Sequence, residues 1–259
     1  MLSILAFIYG ASIGSFVQVI ASRFRVAPIM KGRSKCLSCG EALRPSDLIP
    51  VVSYFLLKGR CRYCKTTYGV SSLVVEVLFG LSFLLLYKTV LVGEVSLLTS
   101  ALLLGYYTVL LGTMGVMALY DRVHSYIPFP FLVTFLVITT CVFIVRVTGD
   151  PSILNLLSPL FVALPFLILW IVTRGKGLGF GDVILFFGVG EFFGTSHGLA
   201  VLIISVWLGA LVGLYIKYIV ARKNPNGTTA IPFVPFIVLA FLLVLFTGID
   251  LFSIAMFFS

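Results

Sequence analysis

Of 259 residues, 60% are hydrophobic and only 10% charged, with a mean hydropathy of +1.18. Such a composition excludes a water-soluble domain and points to a polytopic helical membrane protein. The formal charge of +9 does not argue for nucleic acid, because basic residues in such chains collect on the cytoplasmic flanks of membrane helices. P-loop, dinucleotide-fingerprint and HExxH motifs are also absent from the sequence.

The first apolar run, about residues 1–22, lacks the basic start of a cleaved signal and is too long for one, so it reads as a membrane helix. Gly10 and Gly14 form a GxxxG that lets a neighbouring helix approach closely. Ser15, Gln18 and Ser22 follow at helical spacing and mark a polar, protein-facing side. Residues 23–70 are different in kind, a small polar insertion with four of the five cysteines. The rest, 71–259, reads as a bundle carrying two aspartates. Its helices are expected at about 72–87, 97–120, 127–147, 153–173, 183–194, 198–219 and from 231 to near the end. The expectation is all-α, with about eight transmembrane helices and a zinc-binding cytoplasmic domain between the first two.

Orientation follows from the basic residues. The 23–70 segment holds Arg23, Arg25, Lys31, Arg33, Lys35, Arg44, Lys58, Arg60, Arg62 and Lys65. Arg122, Arg174, Lys176, Lys217, Arg222 and Lys223 fall in loops on the same side, which leaves Lys88 and Arg146 opposite. The cysteine segment, Asp121 and Asp182 are therefore expected on the cytoplasmic side, with both termini outside.

Cys36-Leu-Ser-Cys39 and Cys61-Arg-Tyr-Cys64 make a CxxC pair with 21 residues between them. Two such knuckles can close one tetrahedral site, which reads as structural Zn2+. Two disulfides are the competing reading, and a reducing cytosol disfavours them. Four cysteines leave no open position for catalysis, so the metal would serve folding. Cys141 lies inside an apolar segment and reads as packing.

Gly177-Leu178-Gly179-Phe180-Gly181-Asp182 places three glycines and a carboxylate between apolar segments, and Asp121 lies at a similar boundary. Ionisable residues at membrane depth suggest function. Two neighbouring carboxylates can share a proton, one activating water while the other donates to a carbonyl oxygen. Glycines at 177, 179 and 181 would permit irregular backbone there. The alternative is a pair of capping aspartates, Asp182 opening a helix. The residues alone leave these two readings level.

These motifs resemble the type IV prepilin peptidases over nearly the whole chain. Gly14–Val19 is similar to the family's Gly-Ser-Phe-Leu-Asn-Val, and the two CxxC pairs flank Asp47-Leu-Ile-Pro50 as in its zinc domain. Asp121 with Ile127-Pro128, and the run 177–185, resemble its two catalytic motifs; residues 231–236 resemble its Ile-Pro-Phe-Gly-Pro-Phe. Gln18, Phe129, Ile184 and Val234 depart from the family pattern, while Glu76 matches a family glutamate. The resemblance implies a multi-pass enzyme of the bacterial inner membrane that removes a short basic leader from prepilins or pseudopilins on the cytoplasmic side. Many members then N-methylate the new terminus with S-adenosyl-L-methionine, for which no binding residues can be named. Asp121 and Asp182 would be the catalytic pair, and Cys36, Cys39, Cys61 and Cys64 the zinc ligands. Competing classes are a peptidase without methyl transfer, a proton- or cation-coupled transporter, and an inactive assembly scaffold.

Overall fold

In the computed structural model, residues 1–29, 32–91, 96–220 and 231–256 are described. Lys31, Arg222 and Lys223, used above in the charge count, lie outside them, as does the end of the last expected helix. Among the described residues the fold is helical, with only two isolated antiparallel bridges, Lys35 to Ala42 and Arg60 to Thr67. Two compact units divide the chain, Met1–Gly112 and Thr113–Ser259.

The first unit is built on α1 (Leu2–Arg23) and α3 (Ser71–Leu86), with a short α2 (Val52–Leu56) in the cysteine segment between them. The α3 span extends through a π turn, Tyr87–Leu91. Lipid tails give apolar helices no hydrophobic reason to pair, so close packing has to do it. Gly10 supplies that contact: a Cβ there would stand 2.5 Å from the Phe79 carbonyl oxygen. Gly14 would meet the Phe79 Cβ at 2.9 Å, so the expected close approach is present. The Gln18 amide donates across the same seam to the Ser72 carbonyl at 3.4 Å. The first half of α4 (Leu97–His124) also belongs to this unit, and its Thr108 hydroxyl lies 3.0 Å from that of Tyr9.

The second unit contains the end of α4, then α5 (Phe129–Gly149), α6 (Ile153–Leu156), α7 (Ser158–Thr173), α8 (Phe180–Tyr215), α9 (Val234–Thr247) and α10 (Leu251–Met256). α5, α7 and α9 all pack on α8. Gly188 and Gly190 make this possible, since a Cβ on Gly188 would stand 2.5 Å from the Phe135 ring and one on Gly190 2.7 Å from the Pro159 Cα. Leu185, Phe186, Ile237 and Phe241 fill the core between them.

Several expected boundaries shift. Among the described residues five helices are long and apolar enough to cross a membrane, while α7 and α9 are apolar but shorter. The segments expected at 183–194 and 198–219 are two helices that meet at Gly194 with no loop between them, so that α8 is a kinked run of 36 residues. A straight helix of that length spans about 54 Å, well beyond the roughly 30 Å hydrocarbon core. The run is broken at Gly194, whose φ of 80° and ψ of −172° leave the helical region. The last expected helix ends at Thr247, where Gly248 takes a left-handed φ of 67°, and α10 follows as a separate turn. Asp121 is not between segments, because α4 runs on past it to His124.

Candidate active site and metal centre

The two cysteine knuckles are backbone copies of each other. Cys36 N–H donates to the Glu41 carbonyl at 2.9 Å, and Cys61 N–H to the Thr66 carbonyl at 2.9 Å. The residue after each second cysteine, Gly40 or Lys65, has a positive φ and returns its N–H to the first cysteine's carbonyl. Each knuckle therefore turns its thiols inward. The four Sγ atoms lie within 4.8 Å of one another, and all five cysteines of the chain are unbridged. The Cys36 and Cys64 sulfurs are 3.8 Å apart. That is close to the edge of a tetrahedron with metal–sulfur arms of about 2.3 Å. The Tyr68 hydroxyl is buried beside this cluster without a closed hydrogen bond. Four soft donors at tetrahedral separation fit a metal ion, and the fit leaves no coordination position open.

The segment between the knuckles is braced by Asp47, whose carboxylate accepts from Arg62 Nε at 2.7 Å and from the Arg44 N–H at 3.2 Å. Burial pushes its carboxyl up, but the Arg62 and Arg44 hydrogen bonds and charges outweigh this and hold it below the usual carboxylate range.

Asp121 and Asp182 line one cleft of about 380 Å3, and both are buried. Asp121 reaches it from the last turn of α4. Its Oδ2 accepts the Val234 N–H at 3.1 Å. Val234 is the first residue of α9, so Asp121 satisfies one of the N–H groups that a helix start leaves unpaired. Asp182 enters from α8, as its third residue and not its cap; the cap position is Gly179, whose carbonyl accepts the Asp182 N–H at 3.1 Å. The walls come from Ser125, Tyr126 and Ile127, from the glycine-rich run, and from Ile231, Pro232 and Phe233.

The backbone at 177–179 is irregular, as expected of a glycine-rich run, before α8 begins at Phe180. Gly177, Gly179 and Gly181 do not take positive φ; the left-handed residues are Arg174 and Gly175, just before them. Of the three, space is tight only at Gly181. A Cβ on Gly179 would sit 3.5 Å from the Asp182 Oδ2, and one on Gly181 would press to 3.1 Å of Ile127 Cδ1. Phe129, Ile184 and Val234, the departures from the resembling motifs, do not line the cleft. Val234 contributes a main-chain N–H, which any residue but proline supplies.

Two further carboxylates are buried: Glu191, which the sequence did not single out, and Glu76, noted there only as matching a family glutamate. Glu191 accepts from the Thr139 hydroxyl at 2.6 Å and the Thr140 hydroxyl at 3.1 Å. Glu76 accepts the Val51 N–H at 2.7 Å. Glu191 looked like one more acid near a segment end, and Thr139-Thr140 facing it is a contact across 51 residues that no local pattern announces.

This architecture is that of a helical protein with several helices long and apolar enough to cross a membrane, a four-thiol cluster that could hold a metal ion, and a cleft lined by two aspartates. Residues 8–90 match the Bacterial Peptidase A24 N-terminal domain, and residues 108–214 match the Type IV leader peptidase family. A Bacillus subtilis prepilin leader peptidase/N-methyltransferase is 30% identical over 82% of this chain and 82% of its own length. An Escherichia coli type 4 prepilin-like proteins leader peptide-processing enzyme is 27% identical over 90% of this chain and 89% of its own. A Myxococcus xanthus prepilin leader peptidase/N-methyltransferase is 27% identical over 87% of this chain, which spans 66% of that relative. No solved structure matches the chain. The chain belongs to the type IV leader peptidase family.

Proposed function

We propose that this protein is an aspartic endopeptidase that removes the leader from type IV prepilins or pseudopilins. The observation that carries this is the meeting of Asp121 and Asp182, both buried, in one cleft. In the proposed reaction one carboxylate, ionised, takes a proton from water as it attacks the scissile carbonyl. The other, protonated, donates to the carbonyl oxygen, and the proton then passes to the leaving amine. Like charges in one cleft favour a single shared proton, which sets up that division of roles.

The distribution of Lys and Arg supports a cytoplasmic opening for the cleft and a cytoplasmic cysteine segment. Both aspartates lie within a turn of a helix end. That placement favours a peptidase over a transporter, whose ionisable residues belong near the bilayer midplane. Zn2+ is the metal the thiol set supports, with Cys36, Cys39, Cys61 and Cys64 as ligands and a purely structural role. Methyl transfer to the new N-terminus, with S-adenosyl-L-methionine as donor, is supported by the names of the relatives and by the complete cysteine segment.

The test is incubation of the reconstituted protein with a synthetic prepilin and S-adenosyl-L-methionine, read by mass. Loss of the leader plus one methyl is the expected product. Loss of the leader alone, with the donor in excess, removes the methyltransferase half. An intact substrate contradicts the peptidase reading.

A further inference from the structure

The cysteine segment carries an apolar stripe that the metal centre does not explain. Leu48, Ile49, Val52, Phe55 and Leu56 are 40%, 47%, 49%, 65% and 74% exposed. Val52, Phe55 and Leu56 stand at i, i+3 and i+4 on one face of α2, and Leu48 and Ile49 are exposed in the segment just before it. Exposed apolar residues grouped this way mark a contact surface.

Its depth is fixed by a hydrogen bond. Val51, the residue before α2, has a φ of 63°, a strained conformation for a β-branched side chain. Its N–H is held at 2.7 Å by Glu76, the sixth residue of the membrane-spanning α3. The start of α2 is thus tied to the second turn of α3, a helix long and apolar enough to cross a membrane, and the end turns of such a helix belong where headgroups meet acyl chains.

Next to the stripe is a cavity of about 410 Å3 whose lining includes Lys58, Arg60, Arg62 and Lys65, with Leu56, Leu57 and the knuckle residue Cys61 completing it. Arg62 is engaged by Asp47, while Lys58, Arg60 and Lys65 are exposed and form no ion pair among the described residues. An apolar face at headgroup depth beside a cationic cavity is complementary to an anionic lipid surface. A basic leader peptide would be repelled by the same cavity.

We propose that residues 48–56 lie in the membrane interface and that Lys58, Arg60 and Lys65 hold the headgroups of anionic phospholipids. The inference rests on the membrane reading of α3 and not on the peptidase reading, so a cleavage assay can fail without touching it.

The test compares hydrogen exchange of residues 52–60 in the full-length, metal-loaded protein. One set of nanodiscs contains phosphatidylcholine alone, and the other adds phosphatidylglycerol. Exchange should be on the order of tenfold slower in the anionic discs. Lys58→Gln with Arg60→Gln should erase the difference while the metal content stays unchanged. Should that pair lose metal, Phe55→Ser serves instead and should speed exchange in both discs. Equal exchange of the wild type in the two lipids overturns the proposal, because protein and not anionic lipid would then cover this face. So does a difference that survives the charge substitutions. Slowing by millimolar inorganic phosphate in the neutral discs also overturns it, by making the site one for a soluble anion.

Discussion

Two carboxylate sites on α8 are built in opposite ways. Glu191 is enclosed by helices, with its two oxygens taken by the hydroxyls of Thr139 and Thr140. Nearby, Arg146 donates to the Ser158 hydroxyl at 2.7 Å and to the Gly190 carbonyl at 3.2 Å. Nine residues earlier, about 13 Å along the helix, Asp182 faces a cleft together with Asp121, and the contacts of this pair are main-chain N–H groups. A buried carboxylate clamped by side-chain hydroxyls is stabilised where it stands and has little to offer a substrate. Two carboxylates that share a cleft and draw on the backbone alone keep lone pairs for water and for each other. The contrast separates a strut from the proposed reaction site within α8.

The sharpest way to break this comparison is to neutralise each site in turn. Asp182→Asn is expected to lower prepilin cleavage by about a thousandfold or more, with little change in thermal unfolding. Cleavage within about tenfold of wild type, scored by product mass, would reduce Asp182 to a helix-end residue. Next in size is the metal centre. Cys61→Ser, or treatment with a strong chelator, should release the bound metal and open residues 32–68 to hydrogen exchange. Full protection after metal loss would mean the knuckles stand without it.

Glu191→Ala should do the reverse of the cleft variant. It leaves the Thr139 and Thr140 hydroxyls unpaired and should cost about 1–3 kcal/mol of stability, while cleavage by the folded fraction stays near wild type. A cleavage defect with unchanged stability would turn the strut into a functional group. The smallest effect is expected at Asp47. Its folded pKa is depressed, so its stabilising contribution is present above the unfolded value of about 3.9 and is lost as pH falls through the folded one. The stability gap between wild type and Asp47→Asn should be full near pH 6 and close below about pH 4. A gap that instead widens in acid would show that the Arg62 and Arg44 contacts do not hold the carboxylate.

Much of the architecture is readable in the residues because membrane helices declare themselves by composition. The paired CxxC spacing likewise specifies a cluster before any coordinates exist, since two knuckles have few ways to point four thiols at one another. What stays hidden is long-range or depends on geometry. Gly194 ends the expected helix and does leave helical backbone, whereas Gly188 and Gly190 within it are sites of close approach to α5 and α7 that the sequence does not announce. Gly181 reads as a source of irregular backbone and also supplies room, since a Cβ there would press on Ile127. The Glu76 to Val51 bond joins residues 25 apart in sequence, and nothing in the order of residues predicts it. The aspartates were visible, but their pairing needed α9 to return a backbone N–H to Asp121 across 113 residues.

The most direct test of the central claim is a cleavage rate for four proteins side by side: wild type, Asp121→Asn, Asp182→Asn and the double variant. A pair acting as one unit predicts that each single change abolishes most of the activity and that the double variant is no slower than either by more than a few-fold. Independent losses that multiply in the double variant, or one single variant with near-normal cleavage, would contradict the shared-proton account.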